Sequence, residues 1–435
     1  MTLRPVIYDI ARLATRFSRP APNGIDRVDI GYAKHFLSAE RGAQGVVLGP
    51  FGPRAIEHGR AARISSAVEA HWGEHDKPDN DAVYRQVTAF LQGRLAPQAS
   101  DAFLPKASPQ KGRTLRGWAR VAATAADAFL SSRAMVNAVP ENAVYLNVSQ
   151  FPLWIDGYFR WLDQRPDVKP VFFLHDLLPI QLPEFFPPAE AGRHADRLEV
   201  LARRAAGVIV AGPETRDALF AHLRALGRVP PPLLVSPLPV SEEFRRPINQ
   251  TVRAAGSPAY FVSVGTFEPR KNQILLLQVW RELAEELGRE TPKLVLIGAP
   301  GWGNDNVLDL IQRCERLRPF VAAVSGLTTP AMVEIIRGAA AVLMPSFAEG
   351  FGLPVAEALA TGTPVIASDI PPFRLWQTES VVLIDPTDGP AWRRAVLAKS
   401  ELKMPIHQAV DAGFDSSSTS WLLHVRNVES FIANL

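Results

Sequence analysis

Short apolar runs, separated by stretches of helical spacing, recur along this chain and constrain its fold more than any other feature. In the first half they are Val6–Ala11, Gly45–Pro50, Ala143–Ser149, Val171–Asp176, Gly207–Gly212 and Leu233–Pro237. In the second they are Tyr260–Gly265, Lys293–Gly298, Val321–Gly326, Ala340–Pro345, Pro364–Asp369 and Val381–Ile384. Runs this short that are apolar on both faces fit strands buried on both sides, as in parallel sheets covered by helices. Their alternation with helices predicts α/β architecture in both halves, as two doubly wound domains. Length agrees, because 435 residues exceed one ordinary core.

Boundaries follow from composition. Ser236–Pro258 is proline-rich, of mixed charge and without period, so it reads as a linker. The expected division is a first domain over 1–240, a second over 241–417 and a closing helix over 418–435. Residues 51–140 are weakly patterned and read as an insertion or helical subdomain of the first domain. In Ser418–Leu435, Trp421, Leu422, Val425, Val428, Phe431 and Ile432 recur at helical spacing. Periodicity alone does not say which domain that helix covers.

Composition narrows the class. Hydrophobic residues at 47% and charged residues at 21% describe a globular chain. The single Cys314 excludes a disulfide framework and a cysteine-based zinc site, and fits a reducing compartment. Asp9 interrupts the first apolar run, so no leader is expected. The longest uncharged run, Pro319–Val333, is 15 residues and carries proline, glycine and threonines, too short and polar for a bilayer. A cytoplasmic location is the expectation. Net charge is +3, yet Lys106, Lys111, Arg113, Arg116, Arg120 and Arg133 face only Asp127 in their stretch. Such a patch suits an anionic membrane surface or a phosphorylated partner, and equally a solvated face. Aromatics do not interleave with it, so nucleic acid is not expected.

The chemistry concentrates in the second half. In Phe347–Asp369, "FAEGFGLPVAEALATGTPVIASD", a strand leads through a glycine loop into a helix opened by Pro354 and ended at Gly362. That places free backbone N–H groups and a positive helix end at the carboxyl end of a parallel strand, where open α/β sheets bind ligands. Glu349 lies in the loop and Glu357 on the first helical turns; acids beside a phosphate site suit sugar or ribose hydroxyls. A helix-start glutamate favoured by the macrodipole is the alternative for either. In "VGTFEPRKN", Arg270 and Lys271 fall at a strand-to-helix junction and can neutralise a diphosphate. A solvated pair is the alternative there. Asp79-Asn80-Asp81 matches a D-x-D metal signature, but no strand precedes it, and no metal site is assigned. Neither a zinc spacing, a G-x-S-x-G nor a Walker sequence occurs.

Together, "VGTFEPRKN" and "PSFAEGFGLPVAEALATGTPVIASD" resemble the retaining, GT-B-fold glycosyltransferases of family GT4, over roughly Tyr260 to Asp369. The resemblance implies two Rossmann-like domains facing a cleft, with the closing helix crossing back to the first. It implies Arg270 and Lys271 on the donor diphosphate and Glu349 on the transferred sugar. Gly265 and Thr266, and the Gly350, Phe351, Gly352 and Leu353 loop, would bind donor. Glu357 would hold the ribose, with Leu327 in the Ser325–Thr328 region near the base. More loosely, Gly24 of "PNGIDRVD" resembles the family's phosphate-approaching glycine loop. His175 and Asp176, ending "VFFLHD", match a position that contacts sugar or acceptor. "AGPET" and "LPVSEEF" depart from the family's usual patterns on the acceptor side. The implied activity is metal-independent sugar transfer from a GDP- or UDP-sugar to a hydroxyl of a surface polysaccharide or lipid-linked glycan, with no cofactor. The alternatives are a silent glycan-binding or scaffolding homologue, or an enzyme making a soluble glycoside.

Overall fold

The computed structural model describes residues 4–19, 21–49, 52–73, 77–95, 132–246, 259–401 and 419–435. They fall into two compact units, the first holding 4–73, 132–239 and 419–435, the second 77–95 and 240–401. Lys106, Lys111, Arg113, Arg116 and Arg120 lie outside the described residues.

The first unit is built on an eight-stranded sheet. Its strands are β1 (Val6–Asp9), β2 (Gln44–Gly49), β3 (Gly52–Ile56), β4 (Arg133–Ala134), β5 (Val144–Asn147), β6 (Lys169–Leu174), β7 (Gly207–Val210) and β8 (Leu233–Val235). They run in the order β4-β3-β2-β1-β5-β6-β7-β8. β2, β1, β5, β6, β7 and β8 are parallel, while β3 and β4 add an antiparallel edge. β3 and β4 lie in the stretch read as a weakly patterned insertion. Two-residue β4 and the glycine-proline start of β3 carry no apolar run, which is why pattern alone passes over them. The longer helices of this part of the chain are α1 (Gly24–Phe36), α2 (His58–Trp72), α3 (Ala82–Leu91), which joins the second unit, α4 (Glu190–Arg204) and α5 (Pro213–Ala225). All four residues of β1, of β5 and of β7 are buried, as expected of strands covered on both faces.

The second unit is a six-stranded, all-parallel sheet in the order β11-β10-β9-β12-β13-β14. The strands are β9 (Tyr260–Val264), β10 (Lys293–Ile297), β11 (Val321–Val324), β12 (Ala341–Met344), β13 (Val365–Ser368) and β14 (Val381–Ile384). Among its helices are α6 (Gln273–Leu287), α7 (Thr329–Arg337), α8 (Leu353–Ala360) and α9 (Gly389–Glu401). Register matters here. Val264 pairs with Ile297 and Ile297 with Val324, while Val262 pairs with Val342. The carboxyl ends of β9, β10, β11 and β12 therefore finish level, and the loops that follow them form one row.

The closing helix α10 (Trp421–Ala433) belongs to the first unit. Gly31 on α1 and Gly207 on β7 receive the rings of Trp421 and Phe431; a Cβ at Gly31 would lie 2.0 Å from Trp421. Val428 and Ile432 are buried as the periodicity predicts, but Leu422 is 71% exposed and His424 takes the inward place. His424 bonds Tyr32, Ser236 and Pro237, so the inner face is polar where hydropathy does not look for it.

Candidate active site

After β9 the chain makes a tight turn, Pro269–Lys271, and Asn272 then adopts φ +52 before α6 begins. Asn tolerates this left-handed backbone better than most residues. Its side chain is buried and donates to the carbonyls of Pro345 (3.1 Å) and Pro386 (2.9 Å). One amide thus ties the loop after β9 to those after β12 and β14. The Phe347 N–H also donates to the Arg270 carbonyl at 2.9 Å. These bonds bring Arg270, Lys271 and Glu349 together.

Arg270 Nη1 donates to Glu349 Oε2 at 2.8 Å and to the Ala348 carbonyl, and its Nη2 to Glu268 Oε1 at 2.6 Å. Lys271 Nζ reaches Glu349 Oε1 at 2.6 Å, and the Ser346 hydroxyl donates to the same oxygen at 2.7 Å. Burial pushes the Glu349 carboxyl up, but the Lys271 and Arg270 charges and these donors outweigh it and bring it down to about 2. Burial lowers Lys271, and the Glu349 charge opposes that. Glu349 is therefore ionised at neutral pH beside two cations.

Glycines make the space. A Cβ on Gly265 would come within 3.2 Å of the Lys271 side chain, and one on Gly298 within 1.9 Å of the Gly265 carbonyl. The loops after β9 and β10 are thus pressed together. Gly352 has φ +83 and a Cβ there would strike Phe373 at 2.6 Å, so α8 must start from glycine. Phe351 is buried edge-on against Trp376, whose indole N–H donates to its carbonyl at 3.3 Å. Glu357 is buried on α8 at 1% exposure. Leu327 is buried just before Thr328, which caps α7. Gly265, Thr266, Arg270, Lys271, Leu327, Glu349 and the 350–353 loop all stand at the carboxyl edge of one sheet.

The first unit carries the other candidates. His175 and Asp176 follow the end of β6, and His175 Nε2 donates to the Val148 carbonyl at 2.9 Å, leaving Nδ1 as the acceptor. Burial lowers its pKa to about 4 against the opposing charge of Asp176, so the ring is neutral. Gly24 does not sit in a glycine loop. It opens α1, which Asn23 and Asp26 cap reciprocally, and a Cβ there would meet nothing within 4 Å.

Several neighbours escape a sequence reading. Asp9, at the end of β1, is fully buried and accepts from the Tyr145 and Tyr158 hydroxyls, the Asn147 amide and the Ala11 N–H. Burial raises it to about 6, and these donors hold it from rising further. Gln150 follows β5 at φ +58, its N–H on Asn147 Oδ1. An aspartate ending an apolar strand was the one available signal. Asn147, Gln150, Asn272 and Ser346 gave none, because their roles depend on loops distant in sequence. Asp79-Asn80-Asp81 forms a turn in which Asp81 caps α3, and among the described residues no cluster of three metal-ligating side chains occurs.

Residues 244–398 match the family model described as glycosyl transferases group 1. Over that region the chain is similar to this family. Its relatives include the serotype-specific mannosyltransferase WbdA of Escherichia coli, 25% identical over 61% of this chain and 33% of WbdA. The O-antigen chain mannosyltransferase RfbU of Salmonella typhimurium strain LT2 is 45% identical over 32% of this chain and 37% of RfbU. Each match spans about a third of the relative's length. The structure of Anabaena Alr3699/HepE, solved in complex with UDP, superposes with a TM-score of 0.58 at 15% identity, covering 100% of both chains. That likeness concerns the fold alone, a two-domain GT-B architecture.

Proposed function

We propose that this chain is a retaining glycosyltransferase that moves a sugar from a nucleoside-diphosphate donor to a hydroxyl of a growing surface polysaccharide. The observation that carries the reading is the Arg270–Lys271–Glu349 cluster at a carboxyl sheet edge, over the start of α8. Breaking the bond between the sugar and the diphosphate leaves negative charge on phosphate and positive charge on the ring. Arg270 and Lys271 stabilise the first, and only one of the three ammonium donors of Lys271 is taken by Glu349. Glu349, held ionised, stands beside the sugar and favours the developing positive charge. Glu357 holds the ribose, the 350–353 loop the sugar, and Leu327 lies at the base. The acceptor oxygen attacks on the face the diphosphate leaves, and its proton passes to the departing phosphate oxygen. His175, neutral with Nδ1 as an acceptor, and Asp176 are assigned to the acceptor.

The names of the relatives favour mannose as the sugar and O-antigen-type polysaccharide as the acceptor. On this reading the enzyme works in the cytoplasm, beside the membrane face that would hold a lipid-linked acceptor. Among the described residues no helix is long and apolar enough to cross a membrane. The test is a screen of nucleotide sugars scored by nucleotide release. One donor should turn over, and Arg270→Ala or Lys271→Ala should lower kcat/KM by about a hundredfold or more. Unchanged turnover in both variants refutes the reading. Failure of GDP and UDP to bind would instead favour a scaffolding homologue.

A further inference from the structure

Helix α3 comes from the first half of the sequence yet belongs to the second unit, and one buried carboxylate anchors it there. Asp81 is 7% exposed. Its Oδ1 accepts the N–H groups of Val83 (2.8 Å) and Tyr84 (3.3 Å), capping α3. Its Oδ2 accepts the N–H of Thr328 at 2.8 Å, and Thr328 in turn caps α7 through the Ala331 N–H. A single carboxylate thus closes the starts of two helices from distant parts of the chain. The far end of α3 is held as well. Lys293, opening β10, donates to the Phe90 carbonyl and lies 4.5 Å from the centre of the Phe90 ring. The helix, about 15 Å long, lies along β11, the edge strand of the sheet.

The bond to Thr328 falls on the row of loops that carries the donor site. Gly326 takes φ +79 and Leu327 is buried between it and Thr328. β11 stands two strands from β9, so loop 325–328 lies about 10 Å along the edge from Arg270 and Lys271. A nucleoside diphosphate carries its phosphates at one end and its base at the other, so a ligand lying along this edge presents the base to loop 325–328 when its phosphates meet Arg270 and Lys271. We propose that Asp81 is a positioning residue for the donor. By holding the Thr328 N–H it fixes the Leu327–Thr328 backbone at the base end of a nucleoside diphosphate, while Arg270 and Lys271 hold the phosphate end. The inference rests on the donor site proposed above. It assigns to a helix from the first half of the chain a part in a site otherwise made by the second.

Two variants separate this role from simple helix capping. Asp81→Ser keeps a short oxygen that can cap α3 but does not reach Thr328. Asp81→Asn keeps one carbonyl oxygen and turns the other position into a donor facing the Thr328 N–H. Titration calorimetry with GDP, UDP and inorganic pyrophosphate, alongside melting curves and steady-state kinetics, reads the result. The variants should bind the preferred nucleoside diphosphate about tenfold more weakly. They should bind pyrophosphate within about twofold of the parent, since it meets only the Arg270–Lys271 end. KM for the donor should rise, with kcat and the acceptor KM within about twofold. Undiminished nucleoside-diphosphate affinity in either folded variant overturns the proposal. Equal weakening toward pyrophosphate and nucleoside diphosphate also overturns it, since the effect would then be general to the unit. If the parent binds neither GDP nor UDP, the donor reading itself fails and this inference falls with it.

Discussion

Glu349 sits at 8% side-chain exposure with two cations and a hydroxyl on its carboxylate, and its charge is therefore insensitive to ordinary changes of pH. With its pKa at about 2, no ionisation of Glu349 enters the activity profile between about pH 5 and 9. Glu349→Gln should lower kcat/KM by about tenfold to a hundredfold, yet leave the apparent pKa values of the profile where they are. A limb that shifts or disappears in the variant would show that Glu349 titrates. Asn272 is the neighbour whose importance is conformational. Asn272→Ala removes two buried hydrogen bonds and forces a Cβ-bearing residue of lower tolerance into φ +52, at about 2–4 kcal/mol. Asn272→Gly loses the bonds but not the backbone, at about 1–2 kcal/mol. Urea unfolding distinguishes the two, and equal losses would mean the backbone conformation contributes nothing. Arg270, Lys271 and Glu349 were legible because charged residues at strand ends stand out against apolar runs. Asn272 was not, because a polar residue in a turn is commonplace until its partners are known.

At the level of elements, the strands of both sheets could be read directly, since burial on both faces removes polar residues from them. The helix that closes the chain was only half legible. Its apolar spacing marks a covered face, but the cover is supplied by Gly31 and Gly207, which only proximity selects. Gly31→Ala places a Cβ against Trp421 and should cost about 2 kcal/mol or more, as overpacking does. In a Trp421→Ala background the same change should cost less than about 1 kcal/mol, since the clash is gone. Thermal or urea unfolding of the four proteins gives the coupling, and additive losses would show that Trp421 does not press on Gly31 in solution. Helix α3 was less legible still. It lies in the weakly patterned stretch 51–140, its Asp81 cap was read only as part of a D-x-D signature, and a sequence position in the first half said nothing of a place beside β11.

Across the molecule, buried ionisable groups pull the pH dependence of stability in opposite directions. His424 is 1% exposed; its Nδ1–H donates to the Pro237 carbonyl at 2.9 Å and its Nε2 accepts from the Tyr32 hydroxyl at 2.6 Å. Burial depresses its pKa to about 4. The unfolded chain binds this proton below about 6.5 and the folded one does not, so stability falls as pH drops from there to about 4, by roughly 3 kcal/mol. Burial raises Asp9 to about 6 and Asp29 to about 7. Their contribution has the opposite sign, present at low pH and lost as pH rises through those values. The total profile is therefore blunted, and the difference between the parent and His424→Gln isolates the histidine. That difference in urea-derived stability should shrink by up to about 3 kcal/mol between pH 7 and pH 4. A constant difference would mean His424 titrates normally. The sequence by itself determined two α/β sheets and the charged residues at their strand ends, because strand burial and charge at strand ends are written locally. Only the tertiary structure decided which unit α3 and α10 join, how Asn272 ties three loops, and which buried acids have their pKa raised. Those outcomes depend on groups far apart in sequence meeting where water is excluded, and no local pattern encodes such meetings.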